Sequence, residues 1–186
     1  MILYIHGFAS SGEGEKARIF RQHYKGIGEK FLAPSLSFIP ELAVKTLEEI
    51  IQNCEDLKLI GSSLGGYYAL FLARKYNRKA VLINPSLHPQ ETLKKVLGEQ
   101  NCYYDGKSRF CWEEEHIKML DEFVVTKPTL ENLFVMLQKG DETLNWEVAA
   151  KELKGAKMLI EEGGNHSFSG IARHFDLIDE FLGIQA

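Results

Sequence analysis

Gly61-Ser62-Ser63-Leu64-Gly65-Gly66 is the stretch that decides the fold. The run before it, Leu57-Lys58-Leu59-Ile60, is short and mostly apolar, as a buried strand is. The run after it, Tyr67-Tyr68-Ala69-Leu70-Phe71-Leu72-Ala73-Arg74, reads as a mostly buried helix. A strand, a sharp turn and a helix form the setting of the G-x-S-x-G nucleophile elbow, and the frame fits Gly61-x-Ser63-x-Gly65. A nucleophile there sits on a strained turn above the sheet. The positions two before and two after it are crowded where helix and strand close together, so both favour glycine. This selects Ser63 over Ser62, whose flanking positions would be Ile60 and Leu64. A glycine-rich turn that binds a phosphate or merely packs tightly is the competing reading.

Working outward, the chain alternates strands and helices. Ile2 to Ile5 reads as the first strand, followed by His6-Gly7-Phe8, a loop over residues 9–14, and a helix from about Glu15 to Lys25. Phe31-Leu32-Ala33 is a short second strand stopped by Pro34, and Pro40 starts a helix that runs to about Asn53. Leu57 to Ile60 is the third strand and Lys79 to Ile83 the fourth, closed by Asn84-Pro85. Asn132 to Gln138 is the fifth, Trp146 to Leu153 a helix, Lys157 to Ile160 the sixth strand, and about Gly170 to Leu182 the last helix. This alternation predicts a parallel sheet with helices on both faces.

Ser86 to Thr126 breaks the rhythm. An ordinary connection of this kind has about 4–6 residues, whereas this one has about 40. It shows no clear strand, and two short helices are expected, near Gln90 to Leu97 and near Trp112 to Phe123. Its Tyr103, Tyr104, Phe110 and Trp112 are expected to shape an apolar, partly wet pocket over Ser63. No internal repeat, low-complexity segment or linker interrupts residues 1–186, so one domain with an insertion at about 86–126 is expected.

The net charge of -4 is mild and argues against a nucleic-acid surface. There is no basic leader or membrane-length apolar run, so no membrane partner is expected. Cys54, Cys102 and Cys111 are odd in number and contain no C-x-x-C pair. They fit a reduced cytoplasm and read as small packing residues.

In a parallel sheet, ligands bind at the carboxyl ends of the strands. There stand His6-Gly7-Phe8, Ser63, Gly140-Asp141-Glu142 and Gly163-Gly164-Asn165-His166. A nucleophile, an acid and a base thus arrive in the order Ser, Asp, His. A serine hydroxyl is a weak nucleophile and needs a base within hydrogen-bond reach. His166 would take its proton, and Asp141 would fix the imidazole tautomer. The backbone N–H groups of Phe8 and Leu64 would receive the oxyanion. His6 reads as a structural residue of its loop and His174 as a boundary residue. Glu142, Glu161 and Glu162 compete with Asp141, which comes directly after the turn that closes the fifth strand. No H-E-x-x-H or comparable spacing occurs, so no metal is expected, and catalysis through an acyl-enzyme on Ser63 is expected to need no organic cofactor.

On the runs Leu3-Tyr4-Ile5-His6-Gly7-Phe8, Gly61-Ser62-Ser63-Leu64-Gly65-Gly66-Tyr67-Tyr68, Asn84-Pro85, Gly140-Asp141-Glu142 and Glu161-Glu162-Gly163-Gly164-Asn165-His166, the chain resembles the small bacterial YqiA-type esterases of the α/β-hydrolase superfamily. The resemblance implies a compact hydrolase that lacks the first two strands of the larger superfamily sheet. It implies hydrolysis of carboxylic esters, or of acyl thioesters, with Ser63, Asp141 and His166 in the triad positions. The expected protein is a cytoplasmic serine esterase with a three-layer α/β/α sandwich and six mostly parallel strands in the order 2-1-3-4-5-6. Its expected partner is a small-molecule acyl ester or thioester. An acyltransferase or thioesterase with the same triad, a hydrolase-fold binding protein without turnover, and a nucleotide-binding α/β domain are the rival readings. The last lacks G-x-x-x-x-G-K-[ST], and no G-x-G-x-x-G follows a strand.

Overall fold

The computed structural model describes residues 1–102 and 106–184. The first half contains β1 (Ile2–Ile5), α1 (Glu15–Gly26), β2 (Phe31–Leu32), α2 (Pro40–Gln52), β3 (Lys58–Ser62), α3 (Leu64–Tyr76) and β4 (Ala80–Ile83). The second half contains α4 (Pro89–Leu93), β5 (Gly98–Asn101), β6 (Arg109–Trp112), α5 (Glu114–Leu120), β7 (Leu133–Gln138), α6 (Trp146–Glu152), β8 (Lys157–Glu161) and α7 (Phe175–Leu182).

Six strands form one sheet in the order β2-β1-β3-β4-β7-β8, and every neighbouring pair is parallel. The expected order is therefore observed, with the fifth and sixth strands now numbered β7 and β8. β1, β4 and β7 are buried along their whole length, so they carry apolar runs rather than an alternation. The pleat divides their side chains between two cores. Leu3, Ile5, Leu59, Leu82, Val135 and Leu137 face a core closed by α2 and α3. Ile2, Tyr4, Ile60, Val81, Phe134 and Met136 face the other, closed by α1 and α7. Each fully buried side chain of this size is worth roughly 1.5–3 kcal/mol relative to exposure, so neither face can stay uncovered. Ala17, Phe20 and Tyr24 recur at helical spacing and give α1 its buried stripe.

The segment 86–126 differs from expectation. After α4 comes a 3-10 turn, Lys94–Val96, and then an antiparallel hairpin of β5 and β6 with Gly98 opposite Trp112. α5 and a second 3-10 turn, Asp121–Phe123, follow. Two strands stand where the loop between the two expected helices was placed, and β6 reaches Trp112, the expected start of the second helix. Arg109, Phe110, Cys111 and Trp112 alternate exposed and buried, a period of two. The partner strand Gly98-Glu99-Gln100-Asn101 is polar and carries no such signal. The last helix is also shorter than expected, because Ile171–His174 is a 3-10 turn and α7 begins at Phe175. No helix among the described residues is long and apolar enough to cross a membrane.

Candidate active site

β3 ends at Ser62 and α3 begins at Leu64, which leaves Ser63 alone in the turn with φ 56° and ψ -121°. A non-glycine residue held there costs on the order of 1–3 kcal/mol and persists only where its surroundings over-determine it. The surroundings do so. Ser63 N–H donates to Ile83 O at 3.1 Å, and Ser63 O accepts from Gly66 N–H at 2.9 Å and Ser86 N–H at 3.1 Å. A Cβ at Gly61 would lie 2.2 Å from Gly65 O, and one at Gly65 would lie 2.0 Å from Ile5 O. The two glycines flanking Ser63 are therefore steric necessities, and no such frame exists around Ser62.

His166 lies in the loop after β8, and its Nε2 is 3.0 Å from Ser63 Oγ. Its Nδ1 is 2.8 Å from Asp141 Oδ2. The Asp141 side chain is 2 % exposed. Its other oxygen, Oδ1, accepts from the N–H groups of Thr143 and Leu144, each at 2.8 Å. Burial pushes the Asp141 carboxyl up, but the bonds from His166, Leu144 and Thr143 outweigh it and hold the group below its usual range. A carboxylate only accepts, so Nδ1 carries the imidazole proton and Nε2 presents a lone pair to Ser63. Ser63, Asp141 and His166, predicted from three strand ends, are thus joined in one hydrogen-bonded chain.

Gly7 passes directly beside Ser63, since a Cβ at Gly7 would lie 3.2 Å from Ser63 Cβ. The next residue is Phe8, whose N–H has no acceptor among the described residues; the same holds for Leu64 at the first position of α3. His6 anchors this loop, as expected of a structural residue. Its Nδ1 donates to Gly7 O at 2.8 Å, and its Nε2 accepts from Leu36 N–H at 2.9 Å. Burial lowers its pKa, against an opposing contribution from the Gly7 bond, and the accepting Nε2 keeps the ring neutral. His174, read as a boundary residue, places Nε2 3.0 Å from Glu161 Oε1.

A cavity of about 750 Å³ opens over Ser63 and His166. The segment after β4 contributes Thr92, Leu93, Val96 and Gln100 to its wall. Phe110 and Trp112, expected in this wall, are not in it; Tyr103 and Tyr104 lie outside the described residues. Phe110 and Trp112 instead pack edge-on against the Phe8 ring, at centroid distances of 5.7 and 4.9 Å. The period-two alternation turns both inward, behind the loop that carries Phe8. Sequence reasoning also passed over two other contacts. Glu142, set aside as a neighbour of Asp141, accepts from His166 N–H through Oε2 at 3.0 Å. Lys16 lines the cavity and donates through Nζ to Ser167 O, and burial pushes its amine down to about 8. Among the described residues, no group of three or more His, Cys, Asp or Glu side chains is placed to hold a metal ion.

The sheet order, the elbow and the positions of Asp141 and His166 after successive strands define an α/β-hydrolase fold. The chain belongs to UPF0227, described as an uncharacterised protein family, whose model matches residues 1–183. A UPF0227 protein of Shewanella sp. strain MR-4 is 27% identical over 194 residues, covering 97% of this chain and 98% of the relative. Among solved structures, alpha/beta hydrolase domain-containing protein 10 from mouse is similar with a TM-score of 0.71 at 19% identity, covering 96% of this chain and 89% of that one. Est1E from Butyrivibrio proteoclasticus with ferulic acid bound is similar with a TM-score of 0.67 at 16% identity, covering 97% and 85%. Family and fold agree with the resemblance to the YqiA-type members of the superfamily.

Proposed function

We propose that this protein is a serine hydrolase that cleaves small carboxylic esters through an acyl-enzyme on Ser63. The observation that carries this reading is the continuous chain from Ser63 Oγ to His166 Nε2 at 3.0 Å and from His166 Nδ1 to Asp141 Oδ2 at 2.8 Å. His166 takes the hydroxyl proton as Oγ attacks the ester carbonyl. The carbonyl oxygen becomes an oxyanion and accepts from the Phe8 and Leu64 N–H groups. Collapse of this intermediate breaks the bond to the alkoxide leaving group, which receives the proton from His166. A water molecule then gives a proton to His166 and attacks the acyl carbonyl, and collapse breaks the bond to Ser63 Oγ, which takes that proton back from His166 as the acid is released. Asp141 stays ionised throughout and stabilises the imidazolium. The likeness to Est1E, solved with a carboxylic acid bound, supports an acyl substrate.

A fluorophosphonate probe tests nucleophile, base and oxyanion donors together. The expected result is a single adduct mapped to Ser63, with turnover of p-nitrophenyl esters; acyl-CoA hydrolysis, assayed beside it, distinguishes ester from thioester preference. A folded protein that shows neither adduct nor turnover would refute the reading.

The cavity wall gives a second expectation. Val96 lines the cavity, so Val96→Trp should shrink the space for an acyl chain. One methylene in such a pocket is worth about 1–3 kcal/mol, so kcat/KM for octanoate relative to acetate should fall by roughly tenfold or more. Phe110 supports Phe8 from behind. Phe110→Ala should therefore lower kcat for every chain length alike. A p-nitrophenyl series from acetate to octanoate separates the two patterns.

A further inference from the structure

The loop that carries His166 has little regular structure of its own. Gly163, Gly164, Phe168 and Gly170 all have positive φ, from 58° to 77°. Within the loop, Phe168 N–H donates to Asn165 O at 2.9 Å. Most of its other backbone partners near His166 are two buried carboxamides from the sheet, each on a residue 2 % exposed: Asn84, just after β4, and Gln138, the last residue of β7.

Gln138 Oε1 accepts from Asn165 N–H at 3.0 Å and from Ser169 N–H at 2.9 Å. Its Nε2 donates to Ser169 O at 2.9 Å and to Glu161 Oε2 at 2.8 Å. Both N–H donors and the carbonyl oxygen are used, and only this orientation of the amide satisfies two donors on one side and two acceptors on the other. Asn84 Nδ2 donates to Asn165 O at 3.0 Å and to His166 O at 3.1 Å. Its Oδ1 accepts from Gln138 N–H at 3.0 Å, which links the two amides. The loop is pressed onto them, since a Cβ at Gly164 would lie 2.0 Å from Gln138 Oε1.

We propose that Asn84 and Gln138 are positioning residues for the base: they clamp the backbone of residues 165–169 so that His166 stays within hydrogen-bond reach of Ser63. The inference rests on the reading of Ser63 as nucleophile and His166 as base. Neither amide touches a reacting atom. Their effect is to remove the freedom of an irregular loop at the place where distance matters most. A displacement of about 1 Å at a reacting group costs roughly 10²-fold in rate. Bonds inside a dry site are also strong, and removing one partner strands the other.

Gln138→Leu keeps bulk and removes all four side-chain bonds. Asn84→Gly tolerates the Asn84 φ of 40° and removes the second clamp. Each folded variant should lose about 10- to 100-fold in kcat on p-nitrophenyl butyrate with KM nearly unchanged. The downfield NMR signal of the His166 Nδ1 proton, held by Asp141, should broaden or vanish in both. A role in stability alone would lower the melting temperature but leave kcat and that signal intact in the folded fraction. Ser63→Ala, run in parallel, separates the two claims. If it retains parental activity, the reading of the nucleophile fails. If it is inactive while folded Gln138→Leu and Asn84→Gly keep parental kcat and the downfield signal, the positioning role is overturned. Should neither variant fold, amide exchange in the parent decides: protection is expected at Asn165 and Ser169, and rapid exchange at both would overturn the clamp.

Discussion

Ser63→Ala should lower kcat by about 10⁶-fold, near the loss of a triad nucleophile, and should abolish fluorophosphonate labelling. Ser62→Ala should keep most of the activity. The asymmetry follows from the turn. Ser63 holds φ 56° and points its hydroxyl at His166, whereas Ser62 is the last residue of β3 and is 5 % exposed. Steady-state assays of the two purified variants, with circular dichroism to verify folding, decide it. Full activity in Ser63→Ala with loss in Ser62→Ala would show that the elbow frame is wrong.

Asp141→Asn should lower kcat on the order of 10⁴-fold near neutral pH. Asp141 Oδ1 accepts two backbone N–H groups, from Thr143 and Leu144, so an asparagine would keep its carbonyl there. Its amino group would then face His166 Nδ1. The imidazole would have to accept on that side and carry its proton on Nε2, which can no longer receive the proton of Ser63. Glu142→Gln should cost little, because a glutamine carbonyl can still accept from His166 N–H. Asp141→Asn also carries a sign for stability. The Asp141 carboxyl is held below its ordinary value of 3.8, so the folded state binds fewer protons there than the unfolded chain. That contribution is complete above the ordinary value and is lost as pH falls through the lowered one. Urea unfolding between about pH 6 and pH 3 should show a shallower acid loss for Asp141→Asn than for the parent.

The parallel sheet was legible because its strands are buried on both faces and read as apolar runs such as Ala80-Val81-Leu82-Ile83. Ser63 was legible because steric crowding demands glycine at Gly61 and Gly65, a constraint written in adjacent residues. Asp141 and His166 were reachable because strand ends are where side chains converge. The hairpin was not legible, since β5 is Gly98-Glu99-Gln100-Asn101 and lacks an apolar period. Phe110 and Trp112 were assigned to the cavity on their chemistry, but their facing is fixed by pairing with that polar strand. Gln138 is the polar last residue of an apolar strand. Its importance comes from the carbonyls and N–H groups that a distant loop brings to it, and these leave no trace in local sequence.

The Ser63–His166 bond joins residues 103 positions apart, with Ser63 directly after β3 and His166 beyond β8. A polypeptide leaves the ribosome amino end first, and a domain folds as a unit. It would display the elbow serine while the strand that delivers the imidazole is still being made. An unassisted hydroxyl barely reacts with esters. If Ser63 and His166 act as proposed, the order of the groups keeps the unfinished chain chemically silent and arms it only when the far edge of the sheet has closed.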